Sequence, residues 1–166
     1  MIAIKMSRRD YTIMANTYTQ IHIHFVFAVK YRKGIIHTEW KDDLYKYITG
    51  IVQNNGHKML AINGVEDHIH IFIGMRPTQS ISSLLQDIKA NSSKWINEHA
   101  YTEQKFEWQA GYGAFSYSMR DLPTVAKYIE RQEEHHRKKT FRQEFIQYLK
   151  EFEIDYKEQN IFTEPK

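Results

Sequence analysis

The chain has 166 residues, 42% of them hydrophobic and 14% aromatic, with a formal net charge of +3. That length suits one well-formed domain, and the mild basicity permits a nucleic-acid partner without requiring one. The absence of cysteine excludes disulfides and thiolate metal sites, and no run approaches the ~20 apolar residues of a membrane span.

Residues 1–17 read as a disordered lead-in. They hold no long apolar run before a small-residue cleavage site, so no signal peptide is expected and the cytoplasm is the default location. Residues 18–156 read as a single domain and 157–166 as a loosely held polar tail. Tyr18 to Lys30 is rich in Ile, Val and Phe and predicts a strand carrying His22-Ile23-His24. The basic run Lys30-Tyr31-Arg32-Lys33-Gly34 follows, either a solvated loop or a phosphate-contacting patch.

Between Thr38 and Asn55, Trp40, Leu44, Tyr47, Ile48, Ile51 and Val52 form one apolar helical face, with Thr38 as N-cap candidate and Gly56 as stop. Two strands are predicted next, Lys58–Ile62 and His68–Met75. The Asn63-Gly64 pair between them predicts the turn of an antiparallel hairpin. Ser80 to Asn97 reads as a second amphipathic helix, and the glycine-interrupted aromatic stretch Phe106–Ser118 as a strand or a bulged pair of strands. Arg120-Asp121-Leu122-Pro123 announces a polar helix over 124–138. Thr140-Phe141-Arg142-Gln143 resembles a capping box opening a last helix. The order β-α-β-β-α-β-α-α predicts an α+β fold: a ferredoxin-like βαββαβ core with an antiparallel sheet, plus C-terminal helices.

Chemistry concentrates in two places. In Glu66-Asp67-His68-Ile69-His70-Ile71-Phe72-Ile73, His68 and His70 are i and i+2 on a strand, so they project to one face with Cα atoms roughly 6.5–7 Å apart. That spacing lets both rings converge on one cation. The competing reading is two ordinary polar residues on a half-exposed sheet face. On the polar helix, Tyr128 and Gln132 are i and i+4 and share a face. Tyrosine offers a phenol that becomes a nucleophile when deprotonated, and glutamine a neutral carbonyl oxygen. A core tyrosine beside a surface glutamine is the plainer alternative.

Taken together, Lys30-Tyr31-Arg32-Lys33 after the first strand, Asp67-His68-Ile69-His70-Ile71 on the third, and Tyr128-Ile129-Glu130-Arg131-Gln132 on the helix resemble the single-tyrosine HUH transposases of small bacterial insertion sequences. The resemblance covers about Tyr18 to Tyr156. It implies that Tyr128 is the nucleophile, and that His68, His70 and Gln132 hold a divalent metal, Mg²⁺ or Mn²⁺. It further implies cutting and rejoining of single-stranded DNA at hairpin-bearing ends through a 5′-phosphotyrosine, in a homodimer whose sites are composite, within the bacterial nucleoid. No membrane partner is expected.

Basic residues available to the DNA backbone are Lys30, Arg32, Lys33, Lys89, Lys94, Arg120, Lys127 and Arg131. His22-Ile23-His24 does not fit the family site, and structural or DNA-facing roles suit it better. His136 is i+8 from Tyr128 and within reach of the site, with phosphate contact or plain exposure equally open. Glu66 shares strand parity with His68 and is a candidate for the metal's surroundings. The alternatives are a related HUH nickase or domesticated repeat-associated transposase, a metal-dependent phosphodiesterase using water, and a non-catalytic ferredoxin-like nucleic-acid-binding protein.

Overall fold

The computed structural model describes residues 17–161. The expected lead-in, apart from its last residue, and the last five residues of the tail lie outside that range. Strand β1 (Ile21–Ala28), helix α1 (Thr38–Asn54), strands β2 (Lys58–Val65) and β3 (His68–Met75), helix α2 (Ile81–Glu98) and strand β4 (Gly113–Tyr117) give the βαββαβ order. Helices α3 (Leu122–Glu130), α4 (Gln132–His136) and α5 (Phe141–Glu151) follow. All strand pairs are antiparallel in the order β2-β3-β1-β4, the ferredoxin-like arrangement.

Strand alternation divides the sheet into two faces. Phe25, Phe27, Ile69, Ile71 and Ile73 point toward α1 and α2 and pack with Leu44, Ile48, Val52, Leu84, Leu85 and Ile88. The opposite face carries Val26, Ala28 and Phe115 under Phe141, Phe145, Tyr148 and Leu149 of α5. Further along that face, Ala61 and Phe72 lie under Val125 and Ile129 of α3. Both faces are therefore covered, which is why β3 is buried almost end to end. The helical layer over the second face also covers His68 and His70, and both are fully buried. The half-exposed sheet face weighed from the sequence does not exist.

Several local expectations change. The hairpin turn is Glu66-Asp67, and Asn63-Gly64 lies inside β2. A Cβ on Gly64 would stand 2.2 Å from the His68 carbonyl oxygen and 2.9 Å from Ile69 Cα. The glycine serves a close approach of two backbones rather than a turn. Asn63 donates its amide to the Glu130 carbonyl at 2.9 Å and so ties β2 to the end of α3. Helix α1 begins without a side-chain cap, and Thr38 is its first residue. Of the aromatic stretch, only Gly113–Tyr117 is a strand, with an isolated bridge from Trp108 to Val29.

The expected helix over 124–138 is two helices. Arg131 leaves helical geometry (φ −100°, ψ 22°) and the chain re-enters it at Gln132. Helix α3 is also less solvent-facing than its composition predicts, because Val125 and Ile129 form an apolar edge seated on the sheet. The capping box at Thr140 and Gln143 is present as expected. The chain stays packed beyond residue 156: Ile161 is buried in the α5 cluster. Among the described residues no helix is long and apolar enough to cross a membrane.

Candidate metal centre and tyrosine site

Strand β3 supplies the rigid half of the site. His68 Nδ1 lies 2.6 Å from Asp67 Oδ1 and donates to it, which leaves the His68 Nε2 lone pair directed away from the turn. Asp67 is itself held by Arg32, whose Nη2 and Nε donate to Oδ2 at 2.8 and 3.1 Å. Burial on its own raises the Asp67 carboxyl, but His68 and Arg32 outweigh it and bring it down to about 2. The Arg32 guanidinium also sits 5.1 Å from the centre of the Phe141 ring, and that ring stacks on His68 at 4.0 Å. Arg32 is therefore turned inward to orient a histidine. Its expected role against the DNA backbone does not fit a side chain that is 8% exposed. The carboxylate beside the histidines is likewise Asp67, whereas Glu66 is exposed and lies against Gly34.

His70 is oriented from the neighbouring strand. Its Nδ1 lies 2.9 Å from His24 Nε2, and the two rings stack at 5.1 Å. His24 is thus a buried structural partner of His70. His22 packs its ring 6.3 Å from Phe72.

The helical half arrives from two segments, α4 and α5. Gln132, fully buried at the start of α4, places Oε1 3.0 Å from His136 Nε2, and its amide nitrogen approaches the Tyr128 carbonyl at 3.4 Å. His136 donates from Nδ1 to the Lys139 carbonyl at 3.0 Å, so its Nε2 also presents a lone pair. That Nε2 lies 3.0 Å from His68 Nε2 and 2.9 Å from Glu144 Oε2. Glu144, on α5, is 2% exposed, with its oxygens 3.9 Å from His68 Nε2 and 3.7 Å from His70 Nε2.

The donor atoms of His68, His70, His136 and Glu144 all lie within 4.8 Å of one another. His70 Nε2 and both Glu144 oxygens have no hydrogen-bond partner among the described residues. Buried polar atoms are ordinarily paired, so lone pairs facing lone pairs require a proton or a cation among them. Burial keeps the imidazoles neutral: His24 falls to about 3 and His136 to about 4, and His68 and His70 are lowered as well. Burial and then the Asp67 charge push the Glu144 carboxyl up to about 8. Neutral imidazoles with an amide oxygen and a carboxyl group are a donor set that fits a divalent cation.

Tyr128 lies beside this cluster, its ring 6.2 Å from His70 of the same chain and edge-on to His135 at 5.0 Å. Tyr128 and Glu144 line one cavity of about 250 Å³ together with Tyr117, His135 and Tyr148. On its outer side Tyr128 joins Lys127, Arg131, His135 and Lys138 around a second cleft of about 340 Å³. The structure therefore brings His68, His70, Gln132 and Tyr128 together, as the sequence pattern expects. His136 and Glu144 complete the cluster.

Sequence signals for those two exist. His136 is i+4 from Gln132, the same spacing that relates Gln132 to Tyr128. Glu144 is an acid set among Phe141, Phe145 and Tyr148 on the apolar face of its helix.

The expected DNA-contacting cations divide into two groups. Lys30 is paired with Glu107 at 2.9 Å, Lys33 donates to Gln104 at 2.9 Å, and Lys94 stands 3.8 Å from Glu98. Lys89 donates to the Gln109 and Gly111 carbonyls at 2.6 and 2.7 Å, and burial lowers it to about 8. Arg120, Lys127 and Arg131 are exposed, and the last two border the tyrosine cleft.

The chain matches the family model described as Transposase IS200 like over residues 17–132. It is 26% identical over 119 residues to ISDra2 transposase TnpA of Deinococcus radiodurans, covering 68% of this chain and 84% of that protein. It is 26% identical over 100 residues to the transposase for insertion sequence element IS200 of Salmonella typhimurium, covering 60% of this chain and 65% of that protein. Among solved structures it is similar to a candidate transposase from Deinococcus radiodurans, with a TM-score of 0.58 and 22% identity over 78% of this chain and 98% of that one. A REP-associated tyrosine transposase bound to a REP hairpin gives a TM-score of 0.53 and 15% identity over 70% of this chain and 68% of that one. At those identities the two structures carry the likeness of fold.

Proposed function

The chain belongs to the IS200-like transposase family, and on that premise we propose that it cuts and rejoins single-stranded DNA at hairpin-bearing element ends. The observation that carries this reading is the shared cavity: Tyr128 opens onto the same space as Glu144, at the edge of a buried donor cluster built on His68 and His70. Tyr128 is the nucleophile. Tyr117 and Tyr148 border the same cavity, but burial raises both phenols above their ordinary range and fits them to packing.

The Tyr128 phenol gives its proton to solvent and its oxygen forms a bond to the scissile phosphorus, while the P–O3′ bond breaks and the leaving 3′ oxygen takes a proton from solvent. The products are a 5′-phosphotyrosine and a free 3′-OH, so the phosphodiester energy is kept in the protein–DNA bond. Attack by another 3′-OH on that phosphotyrosine rejoins the strand and releases the tyrosine. His68, His70 and Gln132 would hold a divalent cation, Mg²⁺ or Mn²⁺, and that ion would supply Lewis-acid polarisation of the phosphate and charge stabilisation of the leaving oxygen. His24 and Asp67 fix the imidazoles in orientation. Lys127 and Arg131 border the path of the strand to the tyrosine.

A hairpin substrate is supported by the structural neighbour bound to a REP hairpin. The family resemblance supports a homodimer acting on DNA in the cytoplasm. Within one chain the Tyr128 ring stands 6.2 Å from His70.

The test is incubation with a labelled single-stranded hairpin oligonucleotide and Mn²⁺. A covalent protein–DNA adduct is expected, and it disappears in Tyr128→Phe. Full nicking retained by Tyr128→Phe would instead identify a water-using phosphodiesterase.

A further inference from the structure

We propose that His136 and Glu144 are ligands of the same cation, making the centre a three-imidazole, one-carboxylate site that selects a first-row transition ion over Mg²⁺. This deepens the proposed function and rests on its reading of the cluster as the metal centre. The family match ends at Gln132. These two donors come from the part of the chain beyond it.

Three features of the geometry support the assignment. His136 Nδ1 is committed to the Lys139 carbonyl, so Nε2 faces His68 Nε2, Gln132 Oε1 and Glu144 Oε2 as an acceptor among acceptors. Glu144 is an acid buried in the packed face of α5, with no hydrogen bond to either oxygen among the described residues and both oxygens within 2.9–3.9 Å of an imidazole nitrogen. Each imidazole has its other nitrogen held: His68 by Asp67, His70 by His24, His136 by Lys139. Such outer partners are what orient metal-ligating histidines.

The choice of ion follows from the donors. Mg²⁺ prefers oxygen ligands in octahedral geometry and keeps several waters. Two imidazoles with an amide oxygen leave room for that compromise. Three imidazoles and a carboxylate in a buried site favour Mn²⁺, Fe²⁺, Co²⁺ or Zn²⁺. The set also joins three elements, β3, α4 and α5, so the cation fastens the C-terminal helices to the sheet on the side where Tyr128 sits.

The experiment is metal binding by the whole protein, independent of DNA cleavage. Stripped protein is titrated with Co²⁺ and with Mg²⁺, and the Co²⁺-loaded form is measured by X-ray absorption, whose imidazole multiple scattering counts histidine ligands. Three imidazoles are expected, with Co²⁺ held at least about a hundredfold more tightly than Mg²⁺. His136→Gln and Glu144→Gln, each checked for native circular dichroism without metal, are expected to lose at least about tenfold in Co²⁺ affinity.

Two imidazoles in the wild-type spectrum would overturn the assignment. So would equal affinity for the two ions. The wild-type spectrum decides even where a variant fails to fold. Adduct formation with only two imidazoles would defeat this inference and leave the proposed function standing. Three imidazoles without any adduct would do the reverse.

Discussion

His136 Nε2 lies 3.0 Å from His68 Nε2, across a sequence separation of 68 residues, with each ring's other nitrogen already engaged. Two neutral imidazoles cannot share that contact comfortably when both present lone pairs. Glu144 stands 2.9 Å from the same His136 nitrogen. The contact makes sense with a proton on Glu144 or with a cation among the three.

That alternative sets the pH dependence of binding. Without a cation, the Glu144 carboxyl is raised from 4.5 to about 8 by burial and by Asp67, while His136 is lowered to about 4. At neutral pH the imidazoles are free and Glu144 holds the proton that a cation must displace. Cation affinity is therefore expected to rise about tenfold per pH unit up to about pH 8 and then level off, with about one proton released below it. Titration with Co²⁺ across pH 6 to 9 in several buffers measures both, and an affinity unchanged between pH 6 and 8 would exclude Glu144 as the titrating ligand. For folding of the metal-free protein the sign is opposite. The native state keeps a proton that the unfolded chain releases between pH 4.5 and about 8. That stabilisation is complete below 4.5 and is lost as pH rises through about 8, by at most about 1.4 kcal/mol per pH unit. The buried histidines, lowered from 6.5, act in the opposite direction below that pH, so urea denaturation between pH 6.5 and 8 is the window that reads the Glu144 contribution.

Arg32 and Arg131 are both arginines near the site, and they are expected to behave differently. Arg32 is buried against Asp67, and Arg131 is exposed at the tyrosine cleft. Arg32→Ala leaves Asp67 short of its partner and is expected to destabilise the protein by about 2–3 kcal/mol, less than a fully buried pair because Asp67 keeps some contact with water. Arg131→Ala is expected to leave the denaturation midpoint nearly unchanged. It should reduce the slope of log affinity against log salt for single-stranded DNA by about 0.7. A normal midpoint for Arg32→Ala would return that residue to the DNA-facing group.

Gly64→Ala tests the close approach of β2 to β3. Its Cβ would meet backbone atoms at 2.2 and 2.9 Å, which cannot move away without shifting the strand that carries the histidines. Destabilisation of about 1–3 kcal/mol is expected, together with weakened metal binding. Were Asn63-Gly64 the hairpin turn, the same substitution would leave the metal site untouched.

The order of strands and helices was legible in the sequence because apolar periodicity is local. Leu44, Ile48 and Val52 mark a helix by their spacing, and Ile69, Ile71 and Ile73 mark a strand. The turn was misplaced because Asn-Gly has two physical uses. A left-handed turn and a close backbone contact both require glycine, and only the partner strand tells them apart. The break at Arg131 was hidden for a similar reason. Nothing in Glu130-Arg131-Gln132 opposes a helix, yet Arg131 leaves helical geometry between α3 and α4.

By itself the sequence determined the fold class, the pair of histidines on one strand face, and the tyrosine and glutamine one helical turn apart. Each of these follows from spacings of a few residues. Tertiary structure alone decided that Arg32 points inward, that the Tyr128 ring stands near His70 within one chain, and that His136 and Glu144 join the cluster. Those relationships depend on α4 and α5 folding back over the second face of the sheet. There, burial strips water from groups far apart in the chain and leaves them only one another, or an ion, as partners.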